Sequence, residues 1–475
     1  MNRTHRRMWL LPIVATVFAL PAVFAAAQPA PAAPAAPTTQ AVKAVLDHVF
    51  TRLTTIASPV LIDNRTGAPA TQISAPAAGA AAPAAAAAPA AAAAPAPGAA
   101  GAGAAPGGAR RGGGGRAPAG GGSAYALQMN GPASFAPMAY PFAVVHNGML
   151  NVAANTGDTR YSDYTARWFT LFHDMAPKTS GLGRGDPFVR VNRPGSMDDC
   201  GAMSEAMMKA GIAKVGPDMK PFIDTAIAWV STRQHRAPDG ILDRTTPFPP
   251  DTIWGDDFYM GGAPLAWAGK YTGDTKYWDD DIKQSNLFAQ HLYMKTEHIY
   301  AHGAPLGAND NLPKVAWGRA NGWCAMALTE LLTVLPDNYA GRDAVLAQYQ
   351  DFMKGLTQYQ APDGLWRQVI DHPEVWEETS SSAMFTYAMC RGINRGWLDA
   401  ATFGPVVVKG WAGLTSRIDA DGHVTGTVPG TSLTRTTTIN DYVSRQPSDD
   451  VHGYGPVLLA GSELYKVIDS GKLAK

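Results

Sequence analysis

Cysteine is almost absent: Cys200, Cys324 and Cys390 are the only three in 475 residues. An odd number so widely spaced builds no disulfide framework, and none stands in a Cys-x-x-Cys pair. Each falls inside an apolar run, where a free thiol acts as a small buried hydrophobe. Charge is scarce as well, at 16% of residues, and 39 basic side chains balance 39 acidic ones. That balance removes any electrostatic case for nucleic acid or an anionic membrane surface as partner. The fold has to rest on a large apolar core, which the length permits.

The N-terminus has its own logic. Arg3, Arg6 and Arg7 precede an apolar run from Met8 to Ala25, and small residues follow at Ala25, Ala26 and Ala27. This reads as a secretory signal peptide over 1–27, leaving an exported, periplasmic or secreted chain with no membrane insertion after cleavage. Pro12 and Pro21 within the run, and Ala/Pro-rich chain after it, favour cleavage over a transmembrane anchor. From about Thr66 the sequence turns to Ala, Pro and Gly, ending near Arg110-Arg-Gly-Gly-Gly-Gly-Arg116. With little to bury, and an ordering cost of about 1–2 kcal/mol per residue in backbone entropy, an insertion over 66–123 is expected to be disordered. Residues 28–65 before it contain a helical pattern over 42–56. The economical reading makes this the first helix of the main domain, and the alternative makes it a tether with the domain starting near Ala124.

Over 124–475, with 42–56 before it, two kinds of helical segment alternate. One kind is nearly free of charge: 140–154, 201–208, 258–268, 320–329, 380–390 and 453–462. The other is amphipathic: 42–56, 161–172, 220–233, 277–293, 343–356 and 403–416. The repeat is about sixty residues, and phrases recur within it, such as Thr156-Gly-Asp-Thr-Arg-Tyr161 against Thr272-Gly-Asp-Thr-Lys-Tyr277. Supersecondary units repeated in this way must stack to bury their faces. Six charge-poor helices alternating with six amphipathic ones predict an all-α (α/α)6 barrel of six helical hairpins, with the inner ring stripped of charge because it is buried all round.

The polar exceptions sit at the starts of the charge-poor segments. Asp198 and Asp199 precede the second, Trp254-Gly-Asp256-Asp257 the third, and Trp317-Gly-Arg319 the fourth. Glu377-Glu378 precede the fifth and Asp450-Val-His452 the sixth. In an alternating ring these ends share one mouth, where helix N-termini favour an anionic ligand. A Trp face can stack on a sugar ring, a guanidinium can grip a carboxylate through paired hydrogen bonds, and a carboxyl can move a proton. Each acid also has an ordinary structural use as a helix cap.

Four phrases, Trp254-x-Asp256-x-Phe-Tyr-Met260, Trp317-Gly-Arg319-x-x-Gly-Trp323, Asp363-Gly-Leu-Trp366-x-Gln368 and Glu378-Thr-Ser-Ser-Ser-Ala-Met-Phe385, resemble the unsaturated rhamnogalacturonyl hydrolases of glycoside hydrolase family 105, related to family 88. The resemblance implies a six-hairpin barrel that removes the unsaturated uronic acid left at a non-reducing end by polysaccharide lyases. It implies no cofactor and no metal: an aspartic acid protonates C4 of the C4=C5 double bond, water captures the cation developing at C5, and the hemiketal opens to expel the neighbouring sugar. Asp256 matches the proton donor. His302, Trp317, Arg319 and Trp323 match the wall around the uronate; with Asp198, Asp199, Trp254, Trp366 and His452 they make up the expected substrate-binding set, although Asp198-Asp-Cys-Gly201 departs from the family's single-Asp form. The expected partner is an oligosaccharide bearing an unsaturated uronate, bound by a monomer or homodimer. Burial and the like charge on Asp257 are expected to hold Asp256 protonated against the helix N-terminus.

Two other readings use the same barrel. An inverting glycosidase would need a second carboxylate, for which Asp199 or Glu378 could serve. A sugar epimerase or a sugar-binding barrel would recruit paired histidines such as His146, His302 and His452.

Overall fold

Twelve long helices run through the described residues of the computed structural model, which are 36–73, 123–131, 135–244, 252–305, 314–431, 433 and 437–473. The signal peptide expected over 1–27 lies outside them, as does most of the expected insertion. In chain order the helices are α1 (Thr39–Ile56), α2 (Tyr140–Thr156), α3 (Thr159–Thr179), α4 (Met197–Ala213) and α5 (Lys220–Thr232). Next come α6 (255–272), α7 (Lys276–Leu292), α8 (Gly318–Val334), α9 (Arg342–Thr357), α10 (Thr379–Arg395), α11 (Ala400–Thr415) and α12 (Tyr454–Asp469). The even-numbered helices touch in the cyclic order α2–α4–α6–α8–α10–α12 and back to α2, a closed inner ring. Each odd-numbered helix packs outside it, α3 on α2 and so on round to α1 on α12. The chain is an (α/α)6 barrel.

Local chemistry sets the turns. The recurring Thr-Gly-Asp-Thr phrases lie between inner and outer helices: Gly157 (φ 75°) and Gly273 (φ 78°) end α2 and α8's neighbour α6 in the left-handed conformation, and Asp158 accepts the Arg160 N–H to start α3. Inner helices also approach closely. A methyl group on Gly201 of α4 would lie 2.0 Å from the Met260 carbonyl of α6, so no side chain fits there. Helix α1 buries Val42, Leu46, Val49, Leu53 and Ile56, each at most 1% exposed.

The expectation that inner helices lose their charges needs correction. Glu205, Glu330 and Glu463 are buried in α4, α8 and α12, and Lys209 and Arg391 reach in from α4 and α10. Lys209 bridges Glu205 at 2.6 Å and Glu330 at 2.9 Å. Glu330 also accepts Trp267 Nε1 of α6 at 2.8 Å and the Tyr387 hydroxyl of α10 at 2.6 Å. Arg391 pairs with Glu463 at 2.8 Å and donates to Thr333 of α8 and Asn151 of α2. One polar belt therefore touches all six inner helices in their C-terminal halves. The charge-sparse windows end one residue before Lys209, Glu330, Arg391 and Glu463, so periodicity alone placed these groups outside the ring.

Strand β1 (Ala57–Asp63) pairs antiparallel with β2 (Ala68–Pro69) on one side and β3 (Tyr125–Met129) on the other. The boundary expected at Thr66 falls inside this sheet: Thr66 and Gly67 turn on the Asp63 carbonyl, and Ala70 N donates to Leu61 O at 2.7 Å. The described residues up to Ile73 and from Ser123 are thus tied to the folded part, because the turn's backbone groups have partners. Two-stranded ladders join β4 (Thr252–Trp254) with β7 (Gly303–Pro305), β5 (Tyr293–Met294) with β6 (Ile299–Tyr300), and β8 (Trp366–Arg367) with β9 (Glu377–Glu378). All lie in the connections that lead from an outer helix to the next inner one, which gather at the inner N-termini.

Removing one partner of a buried pair leaves the other uncompensated. Arg391→Leu should therefore lower unfolding free energy by about 3–5 kcal/mol in chemical denaturation, and Arg391→Leu combined with Glu463→Leu should recover part of it. A loss under 1 kcal/mol for the single variant would show that the belt carries little.

Candidate active site

The third inner helix begins with an irregular turn. Helix α6 comprises a first turn Gly255–Asp257, a π turn Phe258–Gly262 and a regular remainder Ala263–Thr272. Pro264 has no N–H to continue the α pattern, and π turns of this kind cluster at functional sites. Just before the helix, β4 pairs Trp254 with Gly303 of β7, and Gly255 N donates to the His302 carbonyl at 2.8 Å. That pairing carries His302 to Asp256: Nε2 lies 3.2 Å from Asp256 Oδ2, near enough to pair but off the line of a good hydrogen bond. Its Nδ1 meets the Tyr442 hydroxyl at 2.7 Å. Trp254 packs edge-on at 5.3 Å and Trp317 at 4.6 Å, holding the imidazole between them.

The charge state of Asp256 differs from expectation. Burial pushes its carboxyl up, but the contact with His302 and the charges of Arg244 and Arg319 outweigh it and hold the group below the usual carboxylate range. Burial also pushes His302 down, so the imidazole is neutral beside an ionised carboxylate. The sequence reading counted Asp257 as a repelling neighbour. Instead Asp257 is held by Arg244, whose Nε donates to it at 2.7 Å, while Arg244 Nη2 donates to Asp198 at 2.7 Å. The same guanidinium lies 4.6 Å over the Trp254 ring. One arginine thus clamps two carboxylates from α4 and α6, and its field stabilises the ionised form of Asp256.

On the other side of Asp256 stands Arg319, 1% exposed and 4.7 Å over the ring of Trp317. It donates from Nη1 to the Val428 carbonyl, while its Nε and Nη2 meet no partner among the described residues. Trp323, one turn further along α8, stacks on Tyr259 at 5.0 Å and meets Tyr140 edge-on at 6.0 Å. The Tyr140 hydroxyl is 2.6 Å from His452 Nε2, and His452 Nδ1 contacts Asp450. Asp256, Trp254, His302, Trp317, Arg319, Trp323 and His452 therefore come together at one mouth.

Three residues of the expected binding set have other partners. Asp198 is taken by Arg244. Asp199 accepts the Tyr140 N–H at 3.0 Å and pairs with Arg190 at 2.8 Å, so it serves the start of α2. Trp366 is wholly buried, donating to the Leu356 carbonyl at 2.7 Å and meeting Phe385 edge-on at 5.5 Å. It fills the space between inner and outer rings, the common use of a Trp beside a helix hairpin. Arg244, Tyr140 and Tyr442 were missed. Tyr140 opens a charge-poor segment as the others do and could have been read; Arg244 and Tyr442 lie in irregular connections with no periodic signal.

The mouth holds buried aromatics, two carboxylate–imidazole pairs and an arginine left without an anion among the described residues, a set suited to a flat, polar, anionic ligand. Residues 127–468 match Glycosyl Hydrolase Family 88, and the chain belongs to that family. An unsaturated 3S-rhamnoglycuronyl hydrolase of Formosa agariphila is 30% identical over 228 residues, which is 45% of this chain and 58% of that protein. An unsaturated rhamnogalacturonyl hydrolase of Bacillus subtilis is 25% identical over 219 residues, 45% of this chain and 62% of that one. The chain thus spans somewhat over half the length of these curated relatives. Among solved structures, a possible member of the GH105 family from Klebsiella pneumoniae superposes with a TM-score of 0.62 at 20% identity, covering 70% of this chain and 84% of that one. That likeness concerns the fold.

Burial, with the Asp198 charge adding and Arg190 opposing, pushes the Asp199 carboxyl up to about 6. The folded state then prefers this acid protonated. Its stabilising contribution is complete below the ordinary carboxylate value of about 4 and is lost as pH rises through about 6. Asp199→Asn cannot titrate, so its Tm should fall less than that of the wild type across that window. Parallel Tm curves would remove Asp199 from the pH dependence.

Proposed function

We propose that this protein releases the 4,5-unsaturated uronic acid from the non-reducing end of lyase-generated oligosaccharides. The observation that carries the reading is the pairing of Asp256 with neutral His302 next to a buried Arg319 that lacks an anion. In the free enzyme Asp256 is ionised, which a proton donor cannot be. A uronate carboxylate on Arg319 would neutralise one of the charges that hold the Asp256 pKa down and bring a like charge nearby, so substrate itself would raise the donor's pKa. Asp256 then delivers its proton to C4, the cation at C5 is stabilised by the ring oxygen, and water adds there. The hemiketal opens and the C1–O bond to the neighbouring sugar breaks, with Asp256 regaining a proton from the water. Trp254 and Trp317 keep the imidazole in place beside the donor. The names of the matched relatives, hydrolases of unsaturated rhamnoglycuronyl and rhamnogalacturonyl units, support the substrate class.

The inverting-glycosidase reading is weakened by what its second carboxylate already does. Glu378 accepts Ser380 Oγ at 2.8 Å, Ser381 N at 2.7 Å and Val428 N at 3.0 Å, and Asp199 is tied to Tyr140 and Arg190. For an epimerase, His146 is unsuitable: it is fully buried against Thr165, and burial pushes its pKa down to about 3.

Loss of ultraviolet absorbance from an unsaturated disaccharide tests the activity. Asp256→Asn should lower kcat by about 10²-fold or more while substrate still binds. In the wild type, kcat/KM should fall above a lower pH than kcat does, since the first reports the free enzyme and the second the complex. Normal turnover of Asp256→Asn, or coincident profiles, would remove Asp256 as a donor tuned by substrate.

The same proposal includes export to the periplasm or medium, on the strength of Arg3, Arg6, Arg7 and the apolar run after them. Among the described residues no helix is long and apolar enough to cross a membrane. N-terminal sequencing of the protein from a native host should begin near Gln28; an intact Met1 would end the export reading.

A further inference from the structure

A second guanidinium stands beside Arg319. Arg445, just after a helical turn Asn440–Val443, donates from Nε to the Asp441 carbonyl at 3.0 Å and from Nη1 to the Gly430 carbonyl. Arg319 donates to the Val428 carbonyl, two residues earlier in the same segment. A methyl group on Gly430 would lie 3.9 Å from Arg319 Nη2 and, chain neighbours aside, within 4 Å of no other described atom, so among the described residues there is room between Gly430 and that guanidinium. Among the described residues neither arginine forms an ion pair with a carboxylate. Instead, burial and the charge of Arg319 push the Arg445 guanidinium below its ordinary range.

Such an arrangement is unfavourable as a purely structural device. Two donors of a buried guanidinium are left idle, and a second cation is held near it although a neutral amide could make the same bonds to the backbone. An anion between the two would satisfy the idle donors and screen the repulsion. We propose that Arg445 is a second cationic arm of the uronate site, facing the carboxylate that Arg319 receives through Nε and Nη2. This rests on the reading that the substrate is an unsaturated uronide. It makes Arg445 a specificity residue, selecting the ionised acid over its neutral ester.

Arg445→Gln keeps an amide donor for Gly430 and removes the charge. With an unsaturated disaccharide, KM should rise about tenfold with kcat within about twofold, and Arg445→Lys should recover part of the loss. Binding of saturated glucuronate, followed by tryptophan fluorescence, should weaken by the same factor, whereas its methyl ester should bind wild type and variant alike. Equal changes for acid and ester, or no change for either, would overturn the proposal. If wild type fails to consume any unsaturated disaccharide while glucuronate binding still depends on Arg445, the arginine pair stands and the hydrolase reading falls.

Discussion

Six parallel inner helices bring six N-termini to one mouth, and what keeps them in register is the polar belt at the opposite end. Glu330 alone receives donors from α4, α6 and α10, and Arg391 links α8, α12 and α2. Apolar packing is non-directional and would tolerate small rotations or slips of one helix against the next. Buried hydrogen bonds and ion pairs do not, because a slip of one residue strands a charge in a low-dielectric interior. Since every site residue sits within a turn or two of an inner N-terminus or in the connection leading to it, the geometry of the mouth depends on that register.

At the mouth the decisive question is which carboxylate is free to react. Asp198, Asp199, Asp256, Asp257, Glu378 and Asp450 all lie near it, and five have assigned partners: Arg244 for Asp198 and Asp257, Arg190 for Asp199, backbone and serine donors for Glu378, and His452 for Asp450. Among the described residues, the one ion-pair contact of Asp256 is with the His302 imidazole. Its ionisation is therefore open to change by a ligand, and two arginines of opposite disposition help hold its pKa down against burial. Arg244 is saturated with carboxylates and holds a constant field. Arg319 is unsaturated, so its field changes when an anion arrives. In the proposed reaction, a donor that acquires its proton on substrate binding follows from that asymmetry, and it spares the free enzyme from holding a neutral acid beside two guanidinium groups.

Much of the fold was legible because helix period and burial are coupled locally. A helix wet on one side shows a 3.6-residue stripe, as Val42, Leu46, Val49, Leu53 and Ile56 do, and one buried all round does not. The inner helices read as charge-poor for this reason, and the error over Lys209, Glu330, Arg391 and Glu463 has the same root. A charge near the end of an apolar run looks like the start of solvent, and only the opposing helix supplies the partner that lets it stay inside.

For the site, the chain alone determined that Asp256, Trp254, Trp317, Arg319 and Trp323 stand at helix starts, and alternation of the rings then requires those starts to meet. The relation between charges belonged to the tertiary structure. Arg244 lies 46 residues from Asp198 and 13 from Asp257, in a connection without periodicity, yet it pairs with both, and its charge helps hold the Asp256 carboxyl low. Trp366 has the same local surroundings as a site tryptophan but points between the rings. Hydrophobic periodicity is set by neighbours a few bonds apart. The ionisation of a carboxylate is set by distances through space and by the solvent excluded around it, which only the folded chain defines.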